Sequence, residues 1–134
     1  MPPNPLFQRL RRLRLPAEHC AVFGSGPLVA HGIKASAGDL DVLARGPAWE
    51  RALALGTPVV PASGYGEMVE LEGGRIQIFN AWTSPSWDTD SLIDGADVID
   101  GIRFVTLAEV LRWKEAAGRA KDVPDIELLR RALS

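Results

Sequence analysis

The sequence predicts a single α+β domain over residues 1–134. Three observations point to it. Short apolar runs bounded by turn residues fill the first part of the chain, one alternating hairpin lies in the middle, and two helical segments close it. A chain of 134 residues can bury one core without staples. Its 46% hydrophobic and 24% charged residues are an ordinary globular balance.

Residues 1–5 are proline-rich and expected to be loose. Leu6, Leu10, Leu13 and Leu15 interleave with Arg9, Arg11, Arg12 and Arg14. That pattern predicts an amphipathic helix from Leu6 to Leu15 with an arginine-rich outer face, ended by Pro16. His19 to Phe23 reads as a strand buried on both faces, with Cys20 a core thiol. Gly24-Ser25-Gly26 is the turn that follows. Pro27 then suits the first position of a short helix to Ala30. Gly32 to Gly38 reads as a loop and Asp39 to Ala44 as the second strand. Pro47 to Leu55 predicts a helix, with Gly56 just past its end.

Thr57 to Gly66 reads as loop, with room for a short strand at Val59-Val60. Glu67 to Glu72 and Arg75 to Asn80 alternate on either side of Gly73-Gly74, which predicts a hairpin with a two-residue turn. Ala81 to Asp97 is irregular, packed around Trp82, Pro85 and Trp87. Asp100-Gly101 marks a second, small hairpin within Val98 to Val105. Thr106 and Glu109 form a capping-box pattern, the glutamate reaching back, for a helix to Ala117 that stops at Gly118. A last helix is expected from Val123 to Leu133.

Bulk properties exclude several classes. A net charge of −2 and a pI near 5.7 are not the footprint of a general nucleic-acid binder. One cysteine rules out an internal disulfide, and with two histidines it argues against a structural zinc site. No apolar run is long enough to span a membrane, and the N-terminus lacks an h-region. The expected location is cytoplasmic, with no membrane partner.

The chemistry concentrates between Ala21 and Arg45. Side chains alternate along a strand, so Asp39 and Asp41 share one face, with Leu40 and Val42 on the other. Two carboxylates this close repel unless a cation lies between them. Mg²⁺, or Mn²⁺ in its place, suits one or two carboxylates completed by phosphate oxygens. The Gly24-Ser25-Gly26 turn permits close backbone approach to a phosphate. Lys34, in the loop before the carboxylates, supplies positive charge. Either motif alone is common on protein surfaces, but together, each beside a buried strand, they describe a metal and phosphate site.

This stretch resembles the core signature of the DNA polymerase β-like nucleotidyltransferase superfamily. The matching residues are an apolar strand, Gly24-Ser25, a short helix, and Asp39-Leu40-Asp41-Val42. The wording is similar to small bacterial members of the antibiotic-nucleotidyltransferase and AbiEii-toxin-like branches. A second element, Arg119-Ala120-Lys121-Asp122-Val123-Pro124-Asp125-Ile126, is similar to the R-x-K-D-x-x-D-I/L motif of those branches, and Lys114 matches their upstream lysine. The resemblance covers about residues 19 to 133. It implies the nucleotidyltransferase fold, a short mixed sheet with helices packed mainly on one side. It implies that Gly24 and Ser25 contact a triphosphate, that Asp39 and Asp41 bind divalent metal, and that Lys121 supports the triphosphate. A salt-bridged interhelical turn explains the second element equally well.

The superfamily also carries a third acid on a later strand. Here the matching strand reads Arg75-Ile76-Gln77-Ile78-Phe79, so an amide, Gln77, stands in that place and cannot take a proton. The hairpin register sets Glu70 beside Gln77. Glu70 is therefore a candidate for the missing carboxylate. The alternative makes Glu70 and Glu72 solvent residues paired with Arg75. Trp82 and Trp87 are candidates for a base or acceptor pocket or for packing. Trp49 and Trp113 are expected to pack, and His31 lies in the loop between the motifs.

The expected function is Mg²⁺-dependent transfer of a nucleotidyl group from a nucleoside triphosphate to an acceptor hydroxyl on a small molecule, RNA or protein. The rival is a degenerate module of the same fold that binds nucleotide or a protein partner, as in a toxin–antitoxin pair, without turnover. No appended acceptor domain is expected, so the acceptor pocket is expected to be shallow, formed by the last helices, or completed by a second copy of the chain.

Overall fold

Strands covered on both faces must be apolar at nearly every position. The runs Cys20–Phe23 (β1) and Leu40–Ala44 (β2) meet that condition. The computed structural model describes residues 4–134. It adds β3 (Met68–Leu71), β4 (Ile76–Phe79), β5 (Asp97–Ile99) and β6 (Ile102–Phe104). These form one mixed six-stranded sheet of order β3-β4-β2-β1-β6-β5, with β1 and β2 at its centre. β1 runs antiparallel to β2 and parallel to β6, while β2 and β4 are parallel. The outer pairs, β3 with β4 and β5 with β6, are antiparallel hairpins.

Six α-helices complete the α+β architecture among the described residues: α1 (Pro5–Arg12), α2 (Gly26–Ala30), α3 (Gly46–Leu55), α4 (Thr89–Asp94), α5 (Leu107–Ala117) and α6 (Val123–Leu133). Strand alternation divides the core in two. Val22, Leu40, Val42, Ile76 and Ile78 pack with Leu6 and Leu10 of α1 and Ala48 and Ala52 of α3. Ala21, Phe23 and Leu43 face the other way, onto Leu28 of α2, Ile93 of α4, Trp113 of α5 and Leu129 of α6. Helices therefore cover both faces, and the expected one-sided packing is corrected. The reason lies in β1 and β2, which present apolar side chains to both sides. No described helix is long and apolar enough to cross a membrane.

Other boundaries shift for local reasons. Asn4 caps α1, its side chain accepting from the Leu6 N–H at 2.8 Å, so Asn4 and Pro5 belong to ordered structure. The rest of the segment expected to be loose, residues 1–3, lies outside the described residues. α1 stops at Arg12 rather than Leu15, because Arg14 takes a left-handed φ of 56°. The first hairpin keeps its expected register, Leu71 opposite Ile76 and Glu70 opposite Gln77. Its turn is longer than expected: Glu72 at φ 55° joins Gly73 and Gly74 in a tight 3₁₀ turn. Val59 contributes one isolated bridge, to Met68. Thr106 caps α5 through the Glu109 N–H at 3.4 Å, but the Glu109 carboxylate accepts from Arg112 instead of reaching back. Gly118 ends α5 at φ 62°, in the left-handed conformation expected of a helix stop.

Candidate functional site

The register of four strands sets Phe23, Asp41, Gln77 and Glu70 in one row across the sheet. Gly24 continues from β1 with φ +67°, and a Cβ there would lie 2.9 Å from Asp41 Oδ2. The glycine turn thus closes directly over the Asp41 carboxylate. Asp39 sits one residue ahead of β2 and is exposed, while Asp41 is half-buried. Burial pushes Asp41 up to about 6; the Asp39 carboxylate adds to the rise, and Arg119, Lys114 and Lys121 oppose it. Gly24→Ala should therefore cost about 1–2 kcal/mol from the left-handed backbone alone, and more from the collision with Asp41. A thermal melt within a degree of wild type would contradict this.

The positive side of the site comes from α5, α6 and the turn between them. Lys114 is 2% exposed, and its Nζ donates to Asp122 Oδ1 at 3.0 Å and lies 3.4 Å from Asp125 Oδ2. Arg119 binds the Asp122 carboxylate with two nitrogens, at 2.6 and 3.1 Å. Asp125 in turn accepts from Ser25 Oγ at 2.7 Å and from Lys34 Nζ at 3.0 Å. Burial would raise both aspartates. Hydrogen bonds from Arg119 and Lys114 to Asp122, and from Ser25 and Lys34 to Asp125, more than reverse that and hold both below the usual range. Lys121 is exposed and has no ion-pair partner among the described residues.

All seven residues singled out from the sequence, Gly24, Ser25, Lys34, Asp39, Asp41, Glu70 and Lys121, line one cleft of about 1110 Å³. Its other wall is aromatic. Trp82 stacks on Phe23 at 4.3 Å and meets Trp113 edge-on at 5.0 Å. Trp82 and Trp87 belong to the core and also line the cleft. Trp113, expected only to pack, also lines the cleft, with the Arg119 guanidinium 4.7 Å above its ring. Arg112 lies 4.1 Å over the Trp87 ring; the sequence reading gave it no role. Trp49 packs beneath the opposite face. His31 caps the end of α2, 3.5 Å from Asp97. Cys20 is half-buried, and burial pushes its thiol up to about 11.

Next to Asp41 across the sheet, Gln77 Nε2 donates to Glu70 Oε1 at 3.1 Å. The pairing of Glu70 and Glu72 with Arg75 is corrected: Glu70 engages Gln77, and Glu72 lies 3.8 Å from Arg9. Two strand spacings, roughly 10 Å, separate the Asp41 and Glu70 backbones.

Among the described residues no three His, Cys, Asp or Glu side chains gather closely enough to hold a metal on their own. Asp39 and Asp41 take part in none of the hydrogen bonds or ion pairs of the cleft. Two carboxylates with no hydrogen-bond or ion-pair partner in the cleft, one pressed by its neighbour's charge, are a donor set that would suit a hard divalent cation such as Mg²⁺ or Mn²⁺. The fold and the cleft define an α+β protein with a charged, aromatic-walled site at the end of its central strands. Comparison with protein-family models, with curated proteins and with solved structures found no match.

Proposed function

We propose that this chain is a metal-dependent nucleotidyltransferase with a nucleotidyltransferase-type fold, acting in the cytoplasm. One observation carries the reading: the Asp39–Asp41 pair and the Gly24-Ser25 turn meet at one end of a cleft that also holds Lys34, Lys114, Arg119 and Lys121. Carboxylates and cations in one recess suit a divalent ion with a polyphosphate, because each neutralises what the other brings.

In this reading Asp39 and Asp41 hold Mg²⁺ or Mn²⁺, which supplies charge neutralisation at the phosphates. The Gly24-Ser25 backbone lets a phosphate approach closely. Lys34 and Lys121 offset the triphosphate charge, and Lys121 is uncommitted and exposed for that purpose. The acceptor hydroxyl approaches from the aromatic wall. Gln77 of β4 cannot take its proton, and Glu70 is the carboxylate of that row not assigned to the metal. The same Gln77 favours the second reading, a module that binds nucleotide or a protein partner without turnover.

The test is incubation with α-labelled nucleoside triphosphates, Mg²⁺ or Mn²⁺, and small-molecule, RNA and protein acceptors. Label transfer that disappears in Asp39→Asn/Asp41→Asn supports the enzyme. Metal-dependent binding without transfer supports the second reading, and no metal-dependent binding removes both. Glu70→Gln is expected to cut transfer about a hundredfold if Glu70 is the base. Unchanged transfer by that variant removes Glu70 from the chemistry.

A further inference from the structure

Ser25 and Lys34 both spend hydrogen bonds on a single carboxylate of α6. Ser25 Oγ is 2.7 Å from Asp125 Oδ2, across 100 positions of chain, and Lys34 Nζ is 3.0 Å from Asp125 Oδ1. Lys114 Nζ approaches the same Oδ2 at 3.4 Å. Asp125 is 5% exposed, so this is an interior tie and not a surface contact. Its three partners come from three elements: the turn after β1, the loop before β2, and α5.

Counting protons decides what each partner has left. An ionised carboxylate only accepts, and a serine hydroxyl has one proton to give. The Ser25 proton is committed to Asp125, so none remains for a phosphate oxygen. An ammonium has three protons; Lys34 gives one to Asp125 and keeps two. Lys34 also loses rotamer freedom to this contact before any ligand arrives, which lowers the later cost of ordering it.

We propose that Asp125 is a positioning residue for the phosphate end of the cleft, and that Ser25 serves phosphate through Asp125 by fixing its turn, not by donating its hydroxyl. The proposal rests on the nucleotide reading above. In it, phosphate meets the turn's backbone N–H groups and the two free protons of Lys34. Asp125 keeps these donors in register while neutralising part of the buried Lys114 charge. The opposite role, an internal anion competing with phosphate for Ser25 and Lys34, predicts effects of opposite sign.

The full chain and its Ser25→Ala, Asp125→Asn and double variants are titrated with Mn²⁺ and each of two probes, ATP and inorganic tripolyphosphate. Adenosine is the phosphate-free control. Melting curves confirm that each variant is folded at the assay temperature. Asp125→Asn should weaken ATP and tripolyphosphate by a common factor, on the order of tenfold, and leave adenosine unchanged. Ser25→Ala should weaken both probes in the wild-type background and add little in the Asp125→Asn background. An undiminished Ser25→Ala effect in that background means direct donation to phosphate and overturns the proposal. Tighter tripolyphosphate binding by Asp125→Asn overturns it in favour of competition. Asp125→Glu keeps the charge that Lys114 needs and lengthens the arm; wild-type affinity in this variant also overturns the proposal. Wild-type protein that binds neither phosphate probe overturns the nucleotide reading itself, whereas wild-type binding with unaltered variants overturns the positioning role alone.

Discussion

Asp41→Asn is expected to raise the melting temperature at pH 7 by several degrees while reducing label transfer at least about a hundredfold. The stability half follows from linkage. Asp41 titrates near 6 in the folded protein, against an ordinary value of 3.8. A group that holds its proton more tightly when folded makes stability fall as pH rises between those two values, and the loss persists above them. That rise corresponds to about 3 kcal/mol, an upper figure because part of the carboxylate reaches solvent. The amide keeps the shape and removes the charge that burial and Asp39 oppose, although its N–H₂ must find acceptors. The functional half rests on the proposed function, in which the same charge holds a divalent cation. Melts from pH 4 to 8 and label-transfer assays measure both. Wild type should also melt higher on adding Mn²⁺ at pH 7, and the variant should respond less. A lower melting point for Asp41→Asn at pH 7, at all metal concentrations, would show that the carboxylate is stabilised by contacts other than a cation.

Much of this arrangement was legible because its signals are local. The β3–β4 register follows from alternation across a glycine pair, and it put Glu70 opposite Gln77 where the structure has them. Thr106 and Gly118 bounded α5 because caps are set within a few residues. The misses are of two kinds. Arg14 and Glu72 adopt positive φ without being glycine, a choice imposed by tertiary packing that residue type does not announce. Asp125 joins Ser25 across 100 residues, and no spacing rule encodes such a contact. The sequence carried a hint of it in two aspartates set among Lys114, Arg119 and Lys121, but acids near a helix start have a cheaper explanation in the helix dipole. Helices on both faces could have been expected from β1 and β2, whose apolar run leaves neither face fit for water.

Lys114→Met is expected to destabilise the fold by about 3 kcal/mol, the cost of removing one partner from a buried ion cluster. Methionine matches the volume and suits an apolar site, so the loss measures charge and not a cavity. Lys114 is 2% exposed and answers to two carboxylates, Asp122 and Asp125. Without it, Arg119 still neutralises Asp122, and Lys34 with Ser25 still engages Asp125. The cluster is weakened, then, but not stripped. The pH dependence separates this account from a simple packing defect. Asp122 and Asp125 titrate below their ordinary values, so they contribute stability that is present above about pH 4 and lost as pH falls through the folded values. Lys114→Met removes one of the charges that hold those values down. Its acid unfolding midpoint should therefore move to higher pH, in addition to the lower melting temperature at pH 7. The paired variant Lys114→Met/Asp122→Asn should recover part of the loss, because it removes one of the two buried carboxylates that Lys114 served. An acid midpoint unchanged from wild type, with the melting temperature alone reduced, would assign Lys114 to packing and remove it from the electrostatics of the cleft.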